Sequence, residues 1–203
     1  MNLYAHPYSN AARRVHMLCE ECEIPYDYHT VDLMNGAQYA PDFLAINPNG
    51  KVPAIEDNGF MLWESNAIMR YLAEKHGASS WWPKESVARA KVDQWLDWTQ
   101  TRLGAEAGKL MFNTLFAGDK GDKLAIESAK KWLEKILPVM DSALGKSAHL
   151  CGEAPTLADL AAVTNIAYLE MCNYDLSPYP NIGQWYTKMK QRPSFAATAP
   201  AAT

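Results

Sequence analysis

The sequence predicts an N-terminal α/β domain of element order βαβαββα, followed by an all-α domain. Residues 1–77 mix short strand-like segments with helical ones, separated by Gly, Pro and Asn. From residue 85 onward, apolar side chains recur almost throughout at helical spacing. Residues 78–84 contain two tryptophans and a proline and form the predicted linker. The expected domains are therefore 1–77 and 85–203.

The first strand and first helix are predicted from the opening residues. Residues 1–5 form a short apolar strand that a His-Pro dipeptide interrupts. A helix is predicted over residues 10–23, because apolar side chains recur there every three or four positions. Ser9 or Asn10 suits its first turn, since short polar side chains accept hydrogen bonds from the free N–H groups of a helix start.

The rest of the first half adds three strands and the helical segments between and after them. Residues 26–33 alternate in character and predict a strand, and a loop with one short helix follows. Residues 52–56 and 60–63 flank Asp-Asn-Gly, which predicts a hairpin. The last helix is expected to take Ser65 as its cap and to end at Gly77. This is the thioredoxin-like order, with a parallel βαβ unit and an antiparallel hairpin.

The second half is predicted to be helical to its end. The expected helices, the first of them long or kinked, cover residues 87–116, 123–144, 156–170 and 182–192. Thr156 and Asp159 form a capping box before an apolar segment, and we assign them a structural role. The alanine-rich residues 196–203 are expected to be loosely ordered.

Composition excludes several classes of function. A net charge of −4 over 203 residues gives a nucleic-acid partner no electrostatic support. No apolar run approaches the roughly 18 residues that span a bilayer, and the first residues lack the pattern of a secretory signal. Four cysteines are too few for a disulfide scaffold, so we expect a reducing cytoplasm. Residues 1–77 carry five basic and ten acidic side chains, so an anionic ligand there needs specific local donors.

Ser9 is the candidate catalytic residue. In a thioredoxin-like domain it follows the first strand and stands at the start of the first helix. Free N–H groups and the helix dipole favour a thiolate over a thiol at such a point. The hydroxyl can add one hydrogen bond to the sulfur. The alternative is that Ser9 only caps the helix. Tyr4 and Tyr8 are rival hydroxyls near the same turn.

Two further pairs of residues suit a peptide ligand. Val52, before Pro53, can offer a free backbone edge to an extended peptide if the Val-Pro bond is cis, although a trans bond is the commoner form. Ser65 at a helix start can bind a carboxylate, and Glu64 can pair with an ammonium group. The alternative is an ordinary capping serine beside a solvated glutamate.

No metal site or redox pair is predicted. The five histidines are scattered without metal-ligand spacing. Cys19 and Cys22 match the C-x-x-C spacing, but they lie at the end of the first helix among acidic residues. A redox pair needs the opposite end of a helix, where the thiol pKa is lowered. We therefore expect ordinary helix-face cysteines.

Four sequence motifs together resemble the cytosolic glutathione transferase family. The first is His-Pro-Tyr-Ser at residues 6–9 with Arg-Arg-Val at 13–15, which is similar to the Ser-type pattern of the phi class and its relatives. The second and third are Asn-Pro-Asn-Gly-Lys-Val-Pro-Ala at 47–54 and Glu-Ser-x-Ala-Ile at 64–68. The fourth is the capping-box segment at 152–159. The resemblance covers nearly the whole chain and favours a Ser-type, phi- or theta-like, bacterial-type member.

The resemblance implies a role for each matching residue. Ser9 would activate the thiol of glutathione, which would be the co-substrate. Val52 would pair with the cysteinyl part through its backbone, with Pro53 cis. Glu64 and Ser65 would hold the γ-glutamyl end.

Three positions depart from the phi-class pattern and adjust the expected site. Gln38 stands where that class has His, Tyr39 where it has Lys, and Lys51 where it has Gln. We expect Gln38 to donate to the glycyl carboxylate and Lys51 to supply a cation.

The resemblance also implies a pocket for small hydrophobic electrophiles and a homodimer. The weaker pocket candidates are Tyr8 and four residues of the first long helix: Trp98, Met111, Phe112 and Phe116. Conjugation of glutathione to an electrophilic carbon is the leading function. The alternatives are a glutathione-dependent peroxidase, dehalogenase or isomerase, and a non-catalytic glutathione- or ligand-binding module.

Overall fold

A computed structural model describes residues 1–200 of the chain, which divide into two compact units. The first unit contains Met1–Trp82 and the residues from Arg192 onward, and the second is Pro83–Gln191. We had expected residues 192–200 in the helical domain, but by their contacts they group with the first unit.

The first unit is built on a four-stranded mixed sheet of order β2-β1-β3-β4. β1 is parallel to β2 and antiparallel to β3, and β3 is antiparallel to β4. The predicted hairpin is present, with Asn58 and Gly59 at positive φ in its turn. The strands are β1 (Asn2–Ala5), β2 (Asp27–Thr30), β3 (Ala54–Asp57) and β4 (Phe60–Trp63).

Four helices belong to the first unit. α1 and α3 pack against each other, and α9 packs against α1. A one-turn 3₁₀ helix, Ala37–Tyr39, precedes α2. The capping prediction for α1 is confirmed, with Ser9 as its N-cap. The helices are α1 (Asn10–Glu21), α2 (Pro41–Ile46), α3 (Ser65–Lys75) and α9 (Pro193–Ala197).

Alternating side chains give the sheet two apolar faces. Leu3 and Ala5 of β1 are fully buried, and Tyr4 between them points to the opposite face. Tyr4 packs there against a small cluster that contains Phe43 of α2 and Val31. Both faces of this short sheet are therefore covered, which fixes its register.

The second unit is all-helical. α7 is buried along almost its whole length and contacts α4, α5 and α8. The predicted long helix is continuous but contains two π-helical segments, Thr99–Leu103 and Phe112–Phe116. The helices are α4 (Ser86–Trp98), α5 (Gly104–Met111), α6 (Lys123–Leu144), α7 (Leu157–Met171) and α8 (Pro180–Lys190).

Two sequence expectations were wrong, one about the cap of α3 and one about the order of the alanine-rich tail. Ser65 is not the cap of α3 but its first residue, and Glu64 stands at the cap position without a side-chain capping bond. The tail is ordered through α9, and Thr198 is buried. Residues 201–203, the end of the segment expected to be loosely ordered, lie outside the described part of the chain. No helix within residues 1–200 combines the length and apolar character needed to cross a membrane.

Candidate active site

The sheet register brings four segments to one end of the first unit. Tyr4, Ala54 and Trp63 occupy one cross-strand row near that end. The chain leaves β1 there toward Ser9, enters β3 there from Val52, and leaves β4 there toward Glu64. β2 is parallel to β1 and ends on the same side. The topology therefore gathers the residues that the sequence singled out on three different strands.

Ser9 is poised as a hydrogen-bond donor. Its Oγ accepts a hydrogen bond from the N–H of Ala12 at 3.2 Å, and its carbonyl accepts one from the N–H of Arg13 at 2.8 Å. The hydroxyl hydrogen has no acceptor among residues 1–200. Ser9 thus serves as the helix cap through its oxygen and keeps a donor available for a ligand.

The Val52-Pro53 peptide bond is cis. This agrees with what the family resemblance implied and differs from the trans form that is commoner for such bonds. The N–H and C=O of Val52 make no hydrogen bond with the described residues, so this backbone is a free edge. The loop before it is organised by Asn47, whose side-chain amide donates to the carbonyl of Lys51 at 2.6 Å.

The loop also brings Gln38 and Lys51 into one neighbourhood. Gly50 has φ +60°, and a Cβ there would lie 3.1 Å from the carbonyl oxygen of Gln38 and 3.0 Å from the Tyr39 ring. Only glycine fits this close approach. The side-chain oxygen of Gln38 is buried and accepts no hydrogen bond from the described residues, while the Lys51 side chain is exposed. The unpaired oxygen calls for an N–H or O–H donor on a ligand, whereas the predicted donation to a carboxylate would use the side-chain NH₂ group of Gln38.

The start of α3 is open to an anion. Glu64 is exposed and has φ 71°, an uncommon conformation for a residue other than glycine. Ser65 is buried to 4% exposure and begins the helix, and the cap residue Glu64 makes no side-chain capping bond. The free N–H groups of such a turn attract negative charge.

Arg14 and Asn66 are neighbours of this site that the sequence analysis did not assign. Arg14 is 2% exposed, and its Nη1 donates to the Asn66 Oδ1 at 3.3 Å. The bond ties α1 to the first turn of α3, beside Ser65. The Arg-Arg-Val motif contained the signal, but it did not show that the second arginine faces another helix.

Tyr4 and Tyr8 are the remaining candidates in the first unit. The Tyr4 ring stacks on the His29 ring, with 5.0 Å between the ring centres, and also packs against Phe43. These contacts give Tyr4 a structural role. Tyr8 is half-buried beside Ser9, and its N–H donates to the His6 Nδ1 at 3.3 Å.

The helical-unit candidates were Trp98, Met111, Phe112 and Phe116. Phe112 and Phe116 are 60% and 47% exposed in a π-helical segment. Met111 is 2% exposed, and its sulfur lies 3.8 Å from the Cys172 sulfur, so its position favours a core role. Trp98 is half-buried and packs edge-on against Trp95.

Burial raises the pKa values of the two cysteines in the C-x-x-C sequence. Burial, with the Cys22 and Glu20 side chains nearby, raises the pKa of Cys19 to about 12. Burial, with Glu21 beside it, raises the pKa of Cys22 to about 11. Cys19 lies within α1 and Cys22 is its C-cap residue, so the pair is at the end of the helix where the sequence placed it. Within residues 1–200, no three His, Cys, Asp or Glu side chains group in a way that could hold a metal ion.

The sheet order and helix placement put the first unit in the thioredoxin-like class, joined in the chain to an all-α unit. Two sequence models of known domains match the chain. "Glutathione S-transferase, N-terminal domain" covers residues 1–74, and "Glutathione S-transferase, C-terminal domain" covers residues 104–193.

Individual relatives match along nearly the whole chain. Glutathione S-transferase GstB of Escherichia coli K12 is 32% identical over 96% of this chain and 95% of its own length. The crystal structure of glutathione transferase F2 from Populus trichocarpa matches with a TM-score of 0.91 at 30% identity, covering 97% and 96% of the two chains. A glutathione transferase family member from Pseudomonas fluorescens, with two glutathione bound, matches with a TM-score of 0.89 at 31% identity, covering 97% and 91%.

The chain therefore belongs to the glutathione S-transferase family, a family of enzymes. The family and the fold class that the sequence predicted are confirmed.

Proposed function

We propose that the protein conjugates reduced glutathione to small hydrophobic electrophiles, with Ser9 holding the bound thiol as a thiolate. The observation that carries this proposal is the unused hydroxyl donor of Ser9 at the N-terminus of α1. It stands at the sheet end where the free edge of Val52 and the open start of α3 also emerge.

The energetics of thiol activation are within reach of this arrangement. Lowering a thiol pKa by about 2 units from roughly 8.5 requires about 2.7 kcal/mol of differential stabilisation. A hydrogen bond to a charged group supplies about 1.5–3 kcal/mol, and a helix terminus adds roughly 0.3–1 kcal/mol. The Ser9 hydroxyl and the first turn of α1 together would supply a shift of this size.

The rest of the tripeptide is assigned to residues of the same unit. The backbone of Val52, before Pro53, would pair with the cysteinyl part, as in strand addition. Ser65 would bind the γ-glutamyl carboxylate at the start of α3, and Glu64 would pair with its ammonium group. Gln38 and Lys51 would hold the glycyl end. The bound glutathione of the Pseudomonas fluorescens relative supports glutathione as the co-substrate.

The proposal includes the Ser-type class and a pocket for the electrophile. The cap position of Ser9 supports the class. The exposed rings of Phe112 and Phe116 support a hydrophobic second substrate, and Tyr8 and Trp98 remain weaker candidates. Met111 contributes to the core of its own unit instead.

We also propose a cytoplasmic homodimer. Phe60, Met61 and Trp63 of the edge strand β4 are 48%, 46% and 38% exposed, an apolar stretch that a second copy would cover. Sedimentation at micromolar concentration tests the assembly, and a single monomeric species would contradict it.

The test of the catalytic proposal is the substitution Ser9→Ala, assayed with glutathione and an aryl halide. Turnover should fall by more than about tenfold while the affinity for glutathione persists, because the lost bond acts on the thiolate. Asp122→Ala is the matched control. Asp122 caps α6 through the N–H groups of Leu124 and Ala125, in the other unit, and its loss should leave turnover unchanged. Unchanged turnover in Ser9→Ala would move the role to Tyr8 or to the backbone.

A further inference from the structure

Residues 192–198, which we name the strap, fasten one end of α1. The guanidinium of Arg192 donates from Nε and Nη2 to the two carboxylate oxygens of Glu21, each at 2.6 Å. The hydroxyl of Ser194 donates to the same carboxylate. Glu21 is the last residue of α1, and its side chain is 10% exposed. This bidentate contact fixes both the distance and the orientation of the Arg192 guanidinium relative to the Glu21 carboxylate.

The strap also holds the other half of α1 through Arg13. Arg13 is 9% exposed, and its Nη2 donates to the carbonyl of Phe195 at 2.9 Å. Its Nε donates to the Thr198 Oγ1 at 3.4 Å, and its guanidinium lies 4.0 Å from the centre of the Phe195 ring. A buried cation needs such partners, because burial without them is very costly. Contacts at both halves of the helix therefore come from one short segment.

Arg13 connects the strap to the reacting end of the helix. Its N–H donates to the carbonyl of Ser9 at 2.8 Å, the bond that closes the first turn. A displacement of Arg13 is therefore transmitted to Ser9 by one backbone hydrogen bond. Geometry matters at this scale, since a misplacement of about 1 Å can cost about a hundredfold in rate.

We propose that the strap is a positioning element of the reaction, acting through Arg13 and through the Arg192–Glu21 pair to hold the Ser9 hydroxyl at the sulfur of bound glutathione. The inference rests on the role proposed for Ser9. The strap residues contact Arg13 and Glu21 and so act on the reaction through α1.

The competing explanation is that the strap only stabilises the fold. A matched control separates the two. Lys75 pairs with Asp57 in the same unit, and the side chains of that pair are 36% and 5% exposed, against 30% and 10% for Arg192 and Glu21. The Lys75–Asp57 pair joins α3 to β3 and does not involve α1. Lys75→Gln therefore removes a comparable ion pair that makes no direct contact with the helix that carries Ser9.

The experiment compares Arg192→Gln and Glu21→Gln with Lys75→Gln in the full chain. The readouts are the apparent pKa of the bound thiol, from the pH dependence of kcat/KM, the KM for glutathione, and hydrogen exchange at the Ala12 amide, which donates to the Ser9 Oγ. In the strap variants the thiol pKa should rise by about half a unit or more, kcat should fall about three- to tenfold and KM should stay within about twofold. Exchange at Ala12 should accelerate, and Lys75→Gln should show none of these changes.

A charge-swapped double variant, Glu21→Arg with Arg192→Glu, tests the pair itself and should restore much of the lost kcat. Wild-type exchange at Ala12 in both strap variants overturns the inference. Faster exchange with an unchanged thiol pKa also overturns it, because the strap would then hold the helix without serving the reaction.

Ser9→Ala shows separately whether the proposed function fails. If that variant leaves the thiol pKa unchanged, Ser9 is not the activating group. A raised pKa in Arg192→Gln would then assign the effect of the strap to the N–H groups of the first turn of α1.

Discussion

Two helix starts in this protein carry the same kind of cap and use it differently. At α7, the hydroxyl and the N–H of Thr156 both bond to the carboxylate of Asp159, which also accepts from the Leu150 N–H and the Trp185 Nε1. At α1, the Ser9 hydroxyl accepts one bond, and its hydrogen has no acceptor among residues 1–200. A cap is saturated when its hydroxyl hydrogen already has an acceptor, as at Thr156, and we regard such a cap as structural. At Ser9 the cap is unsaturated and lies at the end of the sheet where the candidate site residues meet, so its hydroxyl can still donate to a ligand.

The largest effect is expected at the saturated cap. Asp159 is fully buried, so Asp159→Ala leaves several donors without an acceptor. The free energy of unfolding should fall by about 3–5 kcal/mol, as for other broken buried networks. Urea denaturation measures it, with Asp122→Ala, an exposed cap expected to cost about 1 kcal/mol, as the control. A loss for Asp159→Ala no greater than that of Asp122→Ala would remove the contrast between the two caps.

Substitution of the two cap residues themselves should rank them in opposite orders for stability and for activity. Thr156→Ala should cost about 2 kcal/mol of unfolding free energy, because it takes a hydrogen bond from a buried carboxylate. Ser9→Ala should cost about 1 kcal/mol or less. The order should reverse for activity, with Ser9→Ala far more damaging to turnover. Equal stability losses with equal activity losses would show that both caps are structural.

The ion pair between Glu21 and Arg192, at the C-terminal end of α1, can be tested by varying the pH. Burial raises the pKa of Glu21, but hydrogen bonds from Arg192 and Ser194 outweigh it and hold the pKa below its ordinary value. A lowered native pKa contributes stability at pH values above the unfolded pKa, near 4.3, and that stability is lost as the pH falls through the native pKa. The urea midpoints of wild type and Glu21→Gln should therefore converge below about pH 4. A constant difference from pH 7 to pH 3 would contradict the assignment.

The smallest effect is expected for the thiol at the far end of the same helix. Because burial and Glu21 raise the pKa of Cys22 to about 11, alkylation by iodoacetamide should be slow at pH 7–8. Cys22→Ser should leave turnover within about twofold. Rapid alkylation together with lost turnover would reopen the redox interpretation of the C-x-x-C sequence.

Local signals in the sequence were sufficient for much of the fold. The cap of α1 and the Asp-Asn-Gly hairpin depend on residues a few positions apart, and both were predicted. Long-range features were harder to predict. The positive φ of Glu64 and its place at the start of α3 depend on how β4 enters that helix, so Ser65 was wrongly taken as the cap. The Val52-Pro53 isomer required the family pattern, because the dipeptide by itself favours trans.

The order of the tail had no local signal at all. An alanine-rich segment after Pro193 predicts little by itself, and α9 is only five residues long. Its order comes from Arg13 and Glu21, which lie more than 170 positions earlier in the chain. Those two residues show no sign in the sequence of the segment they bind. The candidate site residues could thus be predicted from local motifs, whereas the segment that contacts α1 could not.

The strap has a consequence for how the protein is made. The first unit consists of two chain segments, and the whole of Pro83–Gln191 is translated between them. At about 5–20 residues per second, the ribosome needs on the order of ten seconds to cross that interval. During this time the nascent chain already contains every residue assigned to glutathione, yet Arg13 and Glu21 have no strap partners. The contacts between the strap and α1 can therefore form only after Arg192 and the residues that follow it have been synthesised. A ribosome stalled before Arg192 would hold a chain that contains the candidate site residues but lacks the contacts that fasten α1.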